Sequence, residues 1–276
     1  MIFNFALLGT PVEHSLSPEI HAQFFRETGL KGGYICIPTE SQNLLENIKN
    51  LQALGFKGVN ITIPHKEKVL EITENYSKEV KLIGAANTLI FDNSGIKAEN
   101  TDWLGFLHSL PNNLASQKAL LIGAGGSAKA IILALIKKKF SEIIILIRNS
   151  ESAKAGAENI KLAFAGFNCT ITACFINDLN ISNSDFDLII NASPVGMSGF
   201  NENESPLTES FIQNIINKNC YFYDLVYNPE QTAFLKLAQK HGFVGQNGHK
   251  MLFLQAGYSF KHWTKKDLKC LTEAKT

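Results

Sequence analysis

The sequence predicts an α/β protein of two lobes, each built on a largely parallel sheet. Three observations carry this expectation. Short apolar runs alternate with segments of helical periodicity from the first residues onward, and strands joined through helices must run largely parallel. A second such alternation, opened by a glycine-rich break at residues 123–128, begins only after a first layer of strands and helices is complete. With 276 residues, 45% of them apolar and 18% charged, the chain is long enough for two cores.

Taken in order, residues 3–8, 34–38 and 59–63 read as strands, each followed by a helical pattern at 18–28, 41–54 and 65–72. Residues 86–91 and 95–98 add a hairpin with Asp92-Asn93-Ser94-Gly95 as its turn. Residues 111–116 are polar, carry a proline and separate two periodic regions, so they read as the linker. Beyond it, residues 119–122 have strand length, 130–136 repeat at helical intervals, and 142–147 form the next strand. Residues 187–191 and 220–224 read as further strands and 230–241 as a helix. The last helical stretches, 251–263 and a short one from Lys265, follow a complete second layer and are expected to cross back onto the first lobe. The predicted division is 1–102, 103–246 and 247–276, with a cleft between the lobes where a small-molecule site belongs.

Gly123, Gly125 and Ala128 match the G-x-G-x-x-G/A spacing between a strand and a helix. The first glycine permits the sharp turn, the second lets the backbone approach a pyrophosphate, and the small third residue lets helix and strand pack closely. An anion can then rest on unpaired amides at the positive end of the helix dipole. This marks the second lobe as a Rossmann-type dinucleotide-binding domain. Its second strand ends in Arg148-Asn149-Ser150. A carboxylate at about this distance past the loop would bind the ribose 2′-hydroxyl of NAD, whereas an arginine suits a 2′-phosphate, so NADP is favoured. Lys154 is a candidate second cation and Glu151 an opposing charge. A solvated strand end is the plainer reading of Arg148.

Lys66 ends the segment Val59-Asn-Ile-Thr-Ile-Pro-His-Lys, just inside the expected helix, where the dipole disfavours a cation and so favours release of its proton. Asp102, in Asn100-Thr-Asp-Trp103, reads either as an N-cap or as a carboxylate partner for Lys66, and the two roles can coexist. Such a pair suits delivery of a proton to a developing alkoxide and its return in the reverse direction. Ser17 precedes Pro18 and reads as an N-cap whose hydroxyl can also meet a ligand. Ser15 has no capping duty, and both could read substrate hydroxyls or a carboxylate. His65 reads as structural. The seven histidines form no metal constellation, and there is no G-x-S-x-G elbow for a serine hydrolase.

A net charge of +1 and the lack of any lysine-rich tract exclude nucleic acid and a membrane surface as expected partners. The five cysteines are odd in number and scattered without a C-x-x-C pair, which argues against a disulfide framework or zinc site. No start resembling a signal peptide and no membrane-length apolar run is present, so a cytoplasmic protein is expected.

Together these motifs resemble shikimate dehydrogenases over nearly the whole chain. The resemblance rests on residues 9–18 with His21, 60–66, Gly84-Ala-Ala-Asn-Thr88, Asn100-Thr-Asp102, 123–128, Asn191-Ala-Ser-Pro-Val-Gly-Met197, Asp224-Leu-Val-Tyr-Asn-Pro229 with Thr232, and Gly248 through Met251 to Gln255. It implies that Lys66 is the acid/base and Asp102 its partner, and that Ser15, Ser17, Thr62, Asn87, Tyr227 and Gln255 contact the substrate. For NADP(H) it implicates Gly123, Ala124, Gly125, Gly126, Ser127, Arg148 and Asn149, with Met197, Leu225 and Gly248 near the nicotinamide. The implied reaction is NADPH-dependent reduction of 3-dehydroshikimate to shikimate, on the way to aromatic amino acids, by a monomer or homodimer. Trp103, Ile147 and Ala22 stand where the family more often has Gly, Asn and Asn. A broader quinate/shikimate dehydrogenase and a non-catalytic NADP-binding regulator are the alternatives; a methyltransferase fits Arg148 poorly.

Overall fold

The computed structural model describes residues 2–73, 75–115, 117–176, 178 and 185–274. The chain forms two compact units, one from Met1–Ser109 with Leu252–Thr276 and the other from Leu110–Met251. In the first unit the chain runs β1 (Ile2–Gly9), α1 (Ser17–Thr28), β2 (Lys31–Pro38), α2 (Leu44–Ala53) and β3 (Gly58–Ile61). A 3-10 helix (Lys68–Ile72) follows, then β4 (Asn75–Tyr76), α3 (Lys78–Ile83), β5 (Thr88–Asp92), β6 (Gly95–Glu99) and α4 (Asp102–Ser109). The sheet order is β2-β1-β3-β5-β6-β4. β2, β1 and β3 are parallel, while β5 and β6 form the expected antiparallel hairpin, whose Asp92 carboxylate accepts from the Ser94 amide at 2.8 Å.

Both faces of this sheet are covered, and β1 shows why. Its side chains alternate, so Phe5 and Leu7 join a cluster with Phe24, Phe25, Phe260 and Trp263, while Ala6 and Leu8 pack with Ile48, Val59 and Leu89. The Trp263 indole donates to the Leu89 carbonyl at 2.8 Å and stacks on Phe5 with ring centroids 4.3 Å apart.

The second unit runs β7 (Lys118–Ile122), α5 (Ala128–Lys137), β8 (Glu142–Ile147), α6 (Glu151–Ala163), β9 (Thr170–Phe175), β10 (Leu188–Asn191), α7 (Glu209–Gln213), β11 (Tyr221–Asp224), α8 (Ala233–Lys240) and β12 (Val244–Gln246). All its strand pairs are parallel in the order β12-β11-β10-β7-β8-β9, which is the doubly wound dinucleotide-binding arrangement. The strand order reverses between β7 and β10, so the binding crevice of such a sheet lies past the ends of those strands. β9 and β12 extend the sheet beyond the strands expected from sequence. Helices α9 (His249–Thr264) and α10 (Lys269–Glu273) close the chain. Among the described residues no helix is long and apolar enough to cross a membrane.

The unit boundaries differ from the predicted ones at 102/103 and 246/247. Helix α4 belongs to the first unit, where Leu104 packs against the Phe5 cluster and the Tyr258 hydroxyl lies 2.8 Å from His108 Nδ1. The second boundary falls inside α9, between Met251 and Leu252. Of the expected linker, Ser116 lies outside the described residues.

One residue of the first unit's core has an acid cost. His21 is wholly buried and among the described residues neither ring nitrogen is hydrogen-bonded, and it stacks on Tyr34 at 4.0 Å and 8°. Burial pushes its pKa down to about 3, so the folded protein holds a neutral ring. Since the folded value lies below the unfolded one near 6.5, the unfolded chain binds more protons between them, and stability is lost as pH falls through that window. The loss reaches about 2 kcal/mol at pH 5. In thermal melts, His21→Phe is expected to flatten the decline in melting temperature between pH 7 and pH 5; an unchanged slope would assign it to other groups.

Candidate active site

The first unit gathers its polar residues where β1 and β3 end. The loop after β1 carries Ser15 and leads into Ser17 at the start of α1, and the Thr10 amide ties that loop to the Ile63 carbonyl at 2.9 Å. Thr62 leaves β3 with its amide on the Leu8 carbonyl, also at 2.9 Å. Because β5 runs antiparallel to β3 with Asn60 opposite Thr88, Asn87 lies beside the end of β3. β6 in turn brings Glu99 opposite Thr88, and so carries Asn100 to Asp102 to the same edge.

At that edge the Lys66 ammonium meets the Asp102 carboxylate, Nζ to Oδ2 at 2.7 Å. The lysine side chain is 21% exposed and the aspartate 9%, so the lysine is the more accessible member of the pair. The other carboxylate oxygen accepts from Asn87 Nδ2 at 2.9 Å. That same amide nitrogen reaches Thr101 Oγ1 at 2.9 Å and Gln255 Oε1 at 3.2 Å, while Asn87 Oδ1 accepts from the Thr101 amide at 2.8 Å. A charge-assisted pair whose carboxylate is held from behind can present a proton in a fixed direction.

Three local expectations are corrected. Lys66 is not in the first turn of an α-helix. It lies in a turn ahead of the 3-10 helix, because its carbonyl accepts from the Ala86 amide at 2.8 Å and is unavailable to a helical ladder. The carboxylate beside it, rather than a helix dipole, sets its surroundings. Ser17 and Asp102 are not N-caps either: each is the first residue of its helix, and the cap position of α1 is Leu16. Ser15 does have a backbone duty, since its oxygen accepts from the Ser17 amide at 3.2 Å while its hydroxyl donates to Ser17 Oγ at 3.1 Å. His65 is buried with Nε2 on the Thr39 carbonyl at 2.7 Å, in keeping with a structural role.

Beneath the ion pair lies a buried scaffold that sequence reasoning missed. Asn60 Nδ2 donates to the Asn87 carbonyl, Thr88 Oγ1 and Ser259 Oγ at 2.9, 3.1 and 3.0 Å, and its Oδ1 accepts from the Tyr34 hydroxyl at 2.8 Å. Ser259 lies 3.0 Å from Thr101 Oγ1. Burial pushes the Tyr34 phenol well up, with hydrogen bonding from Ser17 acting against it. Ser259 was findable: it stands four residues after Gln255, on the same helix face.

In the second unit the glycine loop has the geometry an anion needs. Gly123 turns at φ +102°, a conformation that disfavours a side chain, and Gly125 and Gly126 face open space. Among the described residues no acceptor takes the amides of Gly126 and Ser127, which precede α5. Arg148 and Asn149 follow β8, exposed, and Ser150 caps α6 by accepting from the Ala153 amide at 3.3 Å. Lys154 pairs with Glu151 at 3.0 Å. Met197, Leu225 and Gly248 follow β10, β11 and β12, and the Gly248 amide donates to the Val226 carbonyl at 3.2 Å. Tyr227, whose phenol burial pushes up, stands in the same turn after β11. The residues present fit a phosphorylated dinucleotide. Among the described residues no cluster could hold a metal ion.

Residues 7–89 match the family described as the shikimate dehydrogenase substrate binding domain, and residues 107–198 match shikimate / quinate 5-dehydrogenase. The NADP(+) shikimate dehydrogenase of Caldanaerobacter subterraneus subsp. tengcongensis is 40% identical over 94% of this chain and 91% of its own. Among solved structures, shikimate 5-dehydrogenase of Thermus thermophilus in complex with NADP(H) and shikimate is similar, with 30% identity and a TM-score of 0.82. That match covers 99% of this chain and 98% of the other. Quinate dehydrogenase of Corynebacterium glutamicum in complex with NAD is 25% identical with a TM-score of 0.86, over 99% and 97% of the two chains. The fold of both units and these likenesses across nearly the full length lead to one conclusion: the chain belongs to the shikimate dehydrogenase family.

Proposed function

We propose that the protein reduces 3-dehydroshikimate to shikimate with NADPH, reversibly, as a step of aromatic amino-acid biosynthesis. The observation that carries the chemistry is the Lys66–Asp102 pair at 2.7 Å, with the lysine as its more accessible member. NADPH, when bound, supplies the hydride. Lys66 Nζ gives its proton to the carbonyl oxygen as that oxygen becomes an alkoxide, and takes it back in the oxidative direction. Asp102 holds the ammonium in place and Asn87 holds Asp102. Ser15, Ser17, Thr62, Asn87 and Gln255 are the proposed substrate contacts in the first unit, with Tyr227 a further one in the second. The loop from Gly123 to Ser127 would hold the pyrophosphate, with the amides of Gly126 and Ser127 turned to it while the Gly123 amide stays on the Leu146 carbonyl, and Arg148 with Asn149 would hold the 2′-phosphate. Met197, Leu225 and Gly248 would line the nicotinamide. A monomer or homodimer working in the cytoplasm fits this chemistry. The likeness to quinate dehydrogenase supports quinate as the second substrate to assay.

Lys66→Ala is expected to lower kcat by about 10²-fold or more while shikimate still binds, as for loss of an acid/base group. Weakened binding with unchanged kcat would put Lys66 in recognition instead. Arg148→Ala is expected to raise KM for NADPH far more than for NADH, because only the former carries the phosphate that a guanidinium grips. Equal rises would contradict 2′-phosphate recognition. Turnover of shikimate and quinate with each nicotinamide tests the whole reading, and protein that binds both ligands yet turns over neither would make it a sensor.

A further inference from the structure

Asp224 ends β11 wholly buried, and among the described residues no lysine, arginine or histidine pairs with it. Its charge is held by neutral donors from three segments. Asn191 Nδ2, at the end of β10, reaches Oδ1 at 3.0 Å; the Val226 amide reaches the same oxygen at 3.0 Å; Thr232 Oγ1, capping α8, reaches Oδ2 at 2.7 Å. Burial without a countercharge pushes its pKa up to about 6, against the pull of these donors.

Each donor is also committed elsewhere. Asn191 Nδ2 reaches the Val195 carbonyl at 3.0 Å, and Asn191 Oδ1 accepts from the Ser193 amide and hydroxyl at 3.0 and 2.6 Å, which sets the loop leading to Met197. The Val226 carbonyl accepts from the Gly248 amide, and a Cβ at Gly248 would stand 2.1 Å from the Leu225 carbonyl oxygen. Thr232 accepts from the Leu235 amide at 3.3 Å. One carboxylate thus fixes the three places that carry Met197, Leu225 and Gly248, and among the described residues none of its bonds goes to the glycine loop or to Arg148.

We propose that Asp224 is a positioning residue for the nicotinamide half of the cofactor, holding the loops after β10, β11 and β12 without touching the ligand. This rests on the NADP reading above. A carboxamide of the same shape would turn its NH2 either toward the Asn191 and Val226 donors or toward the Thr232 hydroxyl, whose own proton then loses its acceptor, leaving buried groups unpaired and the loops loosened.

The test compares the whole cofactor with its adenosine end, using the full chain. For Asp224→Asn, the Kd of NADPH is expected to rise about tenfold or more and kcat to fall, while adenosine 2′,5′-bisphosphate binds within about twofold of wild type. Thr232→Val should give the same split, and Thr232→Ser, which keeps the hydroxyl, should restore NADPH binding. Unchanged NADPH binding in both Asp224→Asn and Thr232→Val would overturn the proposal. So would equal weakening of NADPH and the bisphosphate, which would make Asp224 a support of the unit as a whole. Wild-type protein that binds neither ligand would instead overturn the NADP reading itself.

Discussion

The Asn87 carboxamide is the constraint on which the first unit's site depends. It fixes the Asp102 carboxylate from the side opposite Lys66 and is itself fixed by the Thr101 amide. Asn60, Thr88, Thr101 and Ser259 then form a closed set of donors and acceptors around it, all buried. Removing one member of such a set strands its partners, at about 1–3 kcal/mol per buried group left unmade. That penalty makes the arrangement specific, because any slip of β3 against β5 or of α9 against the sheet would break several of these bonds together.

The two units solve the problem of a buried carboxylate differently. Asp102 sits against a cation and needs few neutral donors, whereas Asp224 has none among the described residues and is surrounded by an amide, a carboxamide and a hydroxyl. The first arrangement leaves a movable proton on a partly exposed side chain. The second leaves none, and suits a group whose duty is to stay where it is.

Much of this was legible in the sequence because it follows from short-range rules. The spacing of Gly123, Gly125 and Ala128 encodes a strand, turn and helix, and β8 falls where its run of isoleucines places it. The hairpin of β5 and β6 is announced by its turn. What was not legible depends on partners distant in the chain. The turn at Lys66 is dictated by the Ala86 amide, which no local pattern around residue 66 contains. Strand β9 is only half-buried and β12 has three residues at a sheet edge, so neither shows the apolar run that marks β7 or β10. The boundary inside α9 is invisible to periodicity, since the helix does not break there. Lys66 and Asp102 were paired on chemical grounds, but the residues that aim them, Asn60 and Ser259 above all, look like ordinary polar residues until the sheet is assembled.

Helix α9 delivers Gln255, Ser259 and Trp263 to a unit whose strands were all laid down before residue 100. A ribosome emits the second unit whole, in one uninterrupted length, while the first waits for its final helix. During synthesis the Asn60 amide, the Leu89 carbonyl and the ring of Phe5 therefore stand without the partners that α9 will bring, and the doubly wound sheet is free to fold first. The nascent chain thus holds every residue of its nucleotide fold before it holds all of the unit that carries its acid/base pair.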